Sequence, residues 1–140
     1  MSDLANAPRN VVREVGKVVA GKDVYIKKVM LAILAGGHIL MDDIPGVGKT
    51  TMALAFSKAM ALKQKRVQFT PDVLPSDVTG FYMFQKETKT FRYMPGPVMT
   101  NLFLADEINR TSPKTQSALL QVMEEGKVTI DGNTLDVPGP

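Results

Sequence analysis

The fold is decided by residues 38–51, His38-Ile-Leu-Met-Asp-Asp-Ile-Pro-Gly-Val-Gly-Lys-Thr-Thr51. A short apolar run opens this stretch, and a turn containing glycine and proline follows it. The next segment, residues 50–62, is predicted to be a helix because its apolar residues recur at helical spacing. They are Met52, Ala53, Phe56, Ala59 and Met60. The order is therefore strand, glycine-rich loop, helix.

This loop has the chemistry of a phosphate site. Gly46 and Gly48 allow the backbone to curl so that successive N–H groups point to one place. The helix N-terminus adds unpaired donors and the positive end of its dipole. Lys49 is predicted to bridge the β- and γ-phosphate oxygens, and the Thr50 hydroxyl to bind Mg²⁺. The full pattern has glycine at position 43, where this chain has Asp43. ATP with Mg²⁺ is the predicted ligand, bound by Pro45, Gly46, Val47, Gly48, Lys49, Thr50 and Thr51.

Two carboxylates follow a second apolar run, Leu102-Phe-Leu-Ala-Asp-Glu107. Such a continuous run predicts a strand buried on both faces of a parallel sheet. Ligands of parallel α/β sheets bind outside the C-terminal ends of the strands. Asp106 is therefore predicted to belong to the Mg²⁺ shell and Glu107 to polarise the water that attacks the γ-phosphate. Together with Lys49, Glu107 is the predicted catalytic residue, and the acid pair indicates hydrolysis rather than binding alone.

The remaining pattern alternates helices with strands. Helices are predicted over residues 11–19, 22–35 and from Ser112 to Gly126, a strand over 66–70, a loop without period over 71–80, and β-hairpins over 81–94 and 127–137. This alternation predicts an α/β class, a P-loop three-layer sandwich on a parallel core sheet with two hairpin insertions. About three core strands would leave a sheet edge open, so the chain is expected to be truncated.

Composition sets limits on the function. The 140 residues carry 17 Lys and Arg and 14 Asp and Glu, a formal net charge of +3. These charges are dispersed, which argues against a nucleic-acid partner. The chain has no cysteine, so a disulfide framework and a cysteine metal site are excluded. The longest apolar stretch, about residues 29–40, is interrupted by glycines and is too short for a bilayer. No membrane span and a cytoplasmic location are therefore expected.

Three segments resemble the MoxR family of AAA+ ATPases: Gly36-Gly-His-Ile-Leu with Pro45-Gly-Val-Gly-Lys-Thr50, residues 68–80 (Gln-Phe-Thr-Pro-Asp-Val-Leu-Pro-Ser-Asp-Val-Thr-Gly), and residues 105–120 (Ala-Asp-Glu-Ile-Asn-Arg-Thr-Ser-Pro-Lys-Thr-Gln-Ser-Ala-Leu-Leu). The likeness runs from about residue 18 to the last residue. It implies an AAA+ core, a homo-oligomeric and typically hexameric ring, and ATP hydrolysis coupled to chaperone-like remodelling of a protein client. It also implies a partner that carries a von Willebrand factor A domain.

The same resemblance extends to other positions. It places Val19 and Gly21 near the adenine, and it makes the two hairpins similar to the helix-2 and pre-sensor-1 insertions, which often face the ring pore or the client. The sensor-1 strand, the arginine finger and the C-terminal lid of the family have no counterpart in this chain. Residues 1–140 are therefore expected to be the N-terminal portion of an AAA+ core, with turnover a property of the full-length protein.

Several residues have a structural interpretation beside a functional one. His38 is expected to be a packed strand residue rather than a ligand contact. Thr70 is expected to cap a strand end rather than to hold Glu107 in an inactive rotamer. Arg110 is equally suited to a neighbouring subunit's phosphate and to an acid of its own chain. The hairpin aromatics are expected to pack against their own domain rather than to stack on bases. They are Phe81, Tyr82, Phe84, Phe91 and Tyr93.

Two other functions of the P-loop class stay open. A nucleotide-gated switch that uses GTP is compatible with the short pattern Asp77-Val-Thr-Gly80. It also predicts an Asn-Lys-x-Asp motif, which this sequence does not contain. A nucleic-acid motor predicts strong salt-sensitive binding to DNA or RNA, which the dispersed charge does not favour.

Overall fold

The computed structural model describes residues 2–19, 21–39 and 46–139. The chain divides into two compact units, residues 1–64 together with residue 140, and residues 65–139. The described part of the first unit is mainly helical, whereas the second combines strands with helices. None of the helices within the described ranges is both long enough and apolar enough to cross a bilayer.

Three helices form the first unit: α1 (Ser2–Val18), α2 (Asp23–Leu34) and α3 (Gly46–Ala59). Helix α1 packs against both α2 and α3. The buried apolar residues recur at three- and four-residue steps, which is the pattern of helices that turn one face inward. They are Val15, Val19, Ile26, Val29, Met30, Met52, Ala55 and Phe56.

The boundaries in this unit differ from the sequence prediction. Helix α1 begins at Ser2 rather than at residue 11, because the apolar period marks only the part of a helix that is buried. Helix α3 begins at Gly46 rather than at residue 50. The predicted strand over residues 38–41 does not start where expected, since His38 and Ile39 have no strand structure and are exposed. Residues 40–45 lie outside the described residues.

The second unit contains most of the strands. In chain order the elements from Gln64 onward are β1 (Gln64–Gln68), α4 (Pro75–Thr79), β2 (Gly80–Gln85), β3 (Thr90–Pro95), β4 (Leu102–Asp106), a 3₁₀ turn (Ile108–Arg110), α5 (Pro113–Glu125), β5 (Lys127–Ile130) and β6 (Asn133–Asp136). The hairpins β2–β3 and β5–β6 are antiparallel, as predicted. Helix α5 is also confirmed, with the Ser112 side chain accepting a hydrogen bond from the Thr115 N–H and Gly126 in a left-handed conformation at its end.

Strands β1 and β4 pair in a parallel sheet, which confirms the predicted α/β class. The N–H of Phe69, just after β1, donates to the carbonyl of Asp106, the last residue of β4, at 2.8 Å. The carboxyl ends of both strands therefore lie at the same edge. Residues 102–105 are half-buried rather than buried. The expectation of a strand buried on both faces is wrong here, because the side chains of residues 102–105 alternate between the two faces and all of them stay partly exposed.

A short helix, α4, lies within the segment predicted to be a loop without period. Pro75 occupies its first turn, and the Leu74 N–H donates to Oδ2 of Asp77 at 2.9 Å. Proline at the start of a helix followed by an acid in the first turn is a known start signal, so the sequence contained the information. Asp77 therefore has a capping role, and it lends no support to a GTPase switch.

The corner between α4 and β2 requires two glycines. Gly80 has φ of +90°, and an added Cβ would lie 2.3 Å from the carbonyl oxygen of Met94. An added Cβ on Gly96 would lie 2.4 Å from the Gly80 nitrogen. Beside this contact the hydroxyl of Tyr93 donates to the carbonyl of Thr79. Burial raises the pKa of Tyr93, and a backbone hydrogen bond from Gly96 partly offsets that rise.

Candidate functional site

The predicted phosphate-binding residues lie at the start of α3. Lys49, Thr50 and Thr51 are half-buried in its first turns, as is Gly48. Gly46 is the first helical residue, Val47 follows it, and Pro45 lies outside the described residues. The first four N–H groups of a helix have no intrahelical acceptor, and the dipole adds positive charge there. The start of α3 is therefore suited to bind an anion.

The two adenine candidates lie at the end of α1 and just beyond it. Val19 is 6% exposed, and its N–H donates to the carbonyl of Val15 at 2.9 Å. Gly21 is exposed and has φ of +78°. The left-handed residue turns the chain from α1 towards α2. An adenine contact at these positions stays a prediction.

Asp106, at the end of β4, has an enclosed side chain. Nε of Arg66, on β1, donates to Oδ2 of Asp106 at 2.6 Å. The Asp106 side chain is 10% exposed and that of Arg66 is 43% exposed. Burying a carboxylate is costly unless it is paired and hydrogen-bonded, and Arg66 supplies both interactions. The sequence prediction missed Arg66, because its partner lies 40 positions away on another strand and no local pattern joins the two residues.

Glu107 has a different environment from its neighbour. It is exposed, and its φ of 58° and ψ of 39° place it in the left-handed region. Few residues other than glycine adopt this conformation, and those that do concentrate at functional sites. The 3₁₀ turn follows at once, with the Arg110 N–H donating to the Glu107 carbonyl at 3.0 Å. The backbone thus turns the second acid away from the strand direction.

A pair of threonines fixes the segment that follows Glu107. The hydroxyls of Thr111 and Thr115 both donate to the carbonyl of Val73, at 3.3 and 2.8 Å. Thr115 is fully buried. These two bonds tie the start of α5 to the loop between β1 and α4. The sequence did not predict these two hydrogen bonds, because a threonine near a helix start is ordinarily explained by capping.

The contacts of Thr70 and Arg110 bear on two of their predicted roles, whereas a contact of Arg110 with a neighbouring subunit's phosphate stays a prediction. Within residues 65–139 no hydrogen bond joins Thr70 to Glu107, and the Thr70 carbonyl instead accepts from the Val73 N–H at 3.2 Å. Arg110 is exposed and has no ion pair among the described residues. His38 is exposed rather than packed.

The aromatic side chains of the β2–β3 hairpin are more exposed than predicted. Phe81, Phe84 and Phe91 are 48%, 50% and 69% exposed, so the expectation that they pack against their own domain is wrong. The strand register explains this result, because Phe84 lies opposite Phe91 and their rings pack on each other at 5.3 Å between centroids. Tyr82 and Tyr93 form a second cross-strand pair at 5.5 Å.

The donor set predicted for the metal fits Mg²⁺. The Thr50 hydroxyl and the Asp106 carboxylate are both oxygen ligands, which Mg²⁺ prefers. Magnesium sites in nucleotide enzymes use one or two carboxylates together with phosphate oxygens. Among the described residues no group of three His, Asp or Glu side chains could hold a metal by itself.

Comparison with known proteins gives consistent matches. Residues 38–140 match the ATPase family associated with various cellular activities (AAA). The chain is 55% identical over 130 residues to the uncharacterised protein YeaC of Bacillus subtilis, covering 92% of this chain and 40% of that protein. It is 39% identical over 127 residues to the chaperone MoxR1 of Mycobacterium tuberculosis, covering 91% of this chain and 34% of that protein.

A solved structure from Cytophaga hutchinsonii, of a protein assigned as an ATPase, superposes with a TM-score of 0.83 and 43% identity, covering 96% of this chain and 41% of that one. The chain thus spans 34–41% of the length of these relatives. The family match covers the start of α3, the acid pair and both hairpins. The chain belongs to the AAA family of ATPases and, within it, to the MoxR group.

Proposed function

We propose that the chain binds ATP with Mg²⁺ at the start of α3 and contributes the residues that hydrolyse it. One observation supports this most strongly: α3 begins at Gly46, so that Lys49 and Thr50 lie in its first turns. A lysine and a hydroxyl beside unpaired helix N–H groups are the combination that binds the β- and γ-phosphates together with Mg²⁺. This helix lies within the region that matches an ATPase family.

Each predicted residue has a distinct part in this proposal. The backbone from Pro45 to Thr51, including Gly46, Val47 and Gly48, surrounds the phosphates, and Lys49 neutralises them. Thr50 and Asp106 hold Mg²⁺, which when bound offsets charge on the β- and γ-oxygens. Glu107 orients and polarises the attacking water. Glu107 is exposed and left-handed, whereas Asp106 is enclosed. This difference supports separate roles for the two acids. Val19 and Gly21 contact the adenine.

At the level of the whole protein, the proposal is ATP-driven remodelling of protein clients in the cytoplasm. The active form is a homo-oligomeric ring, taken to be a hexamer, that works with a partner carrying a von Willebrand factor A domain. The sensor-1 strand, arginine finger and helical lid are supplied from outside these residues. A relative named as a chaperone supports the remodelling part. Sedimentation of the full-length protein with and without ATP tests the ring.

Lys49 offers the direct test of the nucleotide site. Lys49→Ala should weaken binding of a fluorescent ATP analogue by about 10- to 100-fold, because a hydrogen bond to a charged group is worth about 1.5–3 kcal/mol. Lys58→Ala is the matched control, since Lys58 lies in the last turn of the same helix and is exposed.

Equal affinities for wild type and Lys49→Ala would show that the phosphates bind elsewhere. Competition with unlabelled nucleotides decides between the open alternatives. We expect ATP to displace the analogue better than GTP, and the reverse order would favour the nucleotide-gated switch. Salt-sensitive binding of DNA or RNA would favour the nucleic-acid motor.

A further inference from the structure

The ion pair between Arg66 and Asp106 was not predicted from the sequence. Nε of Arg66 donates to Oδ2 of Asp106 at 2.6 Å. The carboxylate is enclosed, with 10% of the side chain exposed, whereas 43% of the Arg66 side chain is exposed. Both residues belong to the unit of residues 65–139, so the contact is internal to one compact body.

Strand β1 and the residue after it hold Asp106 at two points. The Phe69 N–H donates to the Asp106 carbonyl at 2.8 Å, which fixes the main chain. A fixed main chain still leaves an aspartate side chain several rotamers, and its terminal torsion is broad. The bond from Arg66 to Oδ2 removes that freedom. A carboxylate has two oxygens, so holding one of them sets the direction of the other.

We propose that Arg66 is a positioning residue for the metal site: by holding Oδ2 it directs the second oxygen of Asp106 towards the Mg²⁺ of the bound nucleotide. This inference rests on the proposed function, in which Asp106 helps to hold Mg²⁺. Groups that hydrogen-bond to metal-binding carboxylates typically change metal affinity by about 10- to 100-fold when they are removed.

A purely structural ion pair would act through the charge of Arg66 rather than through its donor atom. Glutamine separates these two properties. Its Nε2 is bonded to Cδ, at the same position along the side chain as Nε of arginine, and it donates without a charge. Methionine has a similar length and no N–H donor. The comparison of Arg66→Gln with Arg66→Met therefore isolates the hydrogen bond.

The experiment titrates Mg²⁺ into the full-length protein in the presence of the fluorescent, non-hydrolysable analogue mant-AMPPNP. We expect Arg66→Met to require at least about tenfold more Mg²⁺ for the half-maximal gain in nucleotide affinity. Arg66→Gln should remain close to wild type. Binding of mant-AMPPNP in EDTA should be the same in all variants, because the N–H of Arg66 affects nucleotide affinity only through the metal. Lys65→Met, which removes the same charge one residue away on the same strand, is the matched control.

An unchanged Mg²⁺ requirement in Arg66→Met, or an equal loss in Arg66→Gln and Arg66→Met, overturns the positioning role. Thermal unfolding verifies that each variant is folded. If Arg66→Met is not folded, Arg66→Asn replaces it, since its amide is one methylene shorter and cannot reach Oδ2.

Asp106→Asn separates this inference from the proposed function. If Asp106→Asn leaves the Mg²⁺ requirement unchanged, Asp106 does not hold the metal. The part that the proposed function gives to Asp106 is then wrong. If Asp106→Asn has a large effect and Arg66→Met has none, only the role of Arg66 is disproved.

Discussion

At the scale of single residues, Asp106 and Glu107 are adjacent in sequence but occupy different environments. Asp106 is enclosed and paired with Arg66, whereas Glu107 is exposed and left-handed. Two carboxylates in unlike surroundings can take different roles in one reaction. The sequence predicts the pair, because two acids follow an apolar run. It does not predict the pairing, because the partner lies 40 positions away on another strand.

Glu107 is expected to act in turnover and not in binding. In the full-length protein Glu107→Gln should lower the rate of ATP hydrolysis by about 10²- to 10⁴-fold, because the amide cannot accept the proton of the attacking water. The affinity for ATP should stay near the wild-type value, which a binding assay checks in parallel. Glu124→Gln, an exposed change on α5, is the control. Undiminished turnover in Glu107→Gln would place the base elsewhere.

At the scale of elements, the sequence predicts helices and hairpins well where the periodicity is strong and the caps are explicit. Helix α5 lies between Ser112 and Gly126, and both hairpins form over their predicted ranges. It misses α4, because five residues are too few to show a period and only the start signal at Pro75 and Asp77 marks this helix. It places the start of α3 too late, because Gly46 and Gly48 are poor helix formers. The exposure of hairpin aromatics depends on packing that no local pattern contains.

The corner between α4 and β2 gives a stability prediction at this scale. Gly80→Ala should lower the free energy of unfolding by more than about 2 kcal/mol, since it combines backbone strain of order 1–3 kcal/mol with a backbone clash. Gly132→Ala is the control, because Gly132 has φ of +80° but an added Cβ would meet no atom within 4 Å beyond its own chain neighbours. Gly132→Ala should lower the free energy of unfolding by only about 1–2 kcal/mol. Denaturant unfolding measures the free energy of unfolding of both variants. Equal decreases would show that the close backbone contact at Gly80 does not add to the cost of the substitution.

At the scale of the whole molecule, the described residues form two units, and the predicted ligands of one nucleotide are divided between them. Lys49 and Thr50 belong to the first unit, and Asp106 and Glu107 to the second. The sequence assigns both groups to one site by motif alone. The sequence cannot give the pairing of β1 with β4, because strand order follows from pairing across the whole fold rather than from local periodicity.

The most direct measurement is a crystal structure of the full-length protein with a non-hydrolysable ATP analogue and Mg²⁺. We expect the β- and γ-phosphates to lie against the N–H groups at the start of α3, with Lys49 in contact with them. The metal should lie between Thr50 and the side of Asp106 that Arg66 leaves open, with Glu107 facing the γ-phosphate. Phosphates bound away from Lys49, or a metal with no relation to Asp106, would contradict the account.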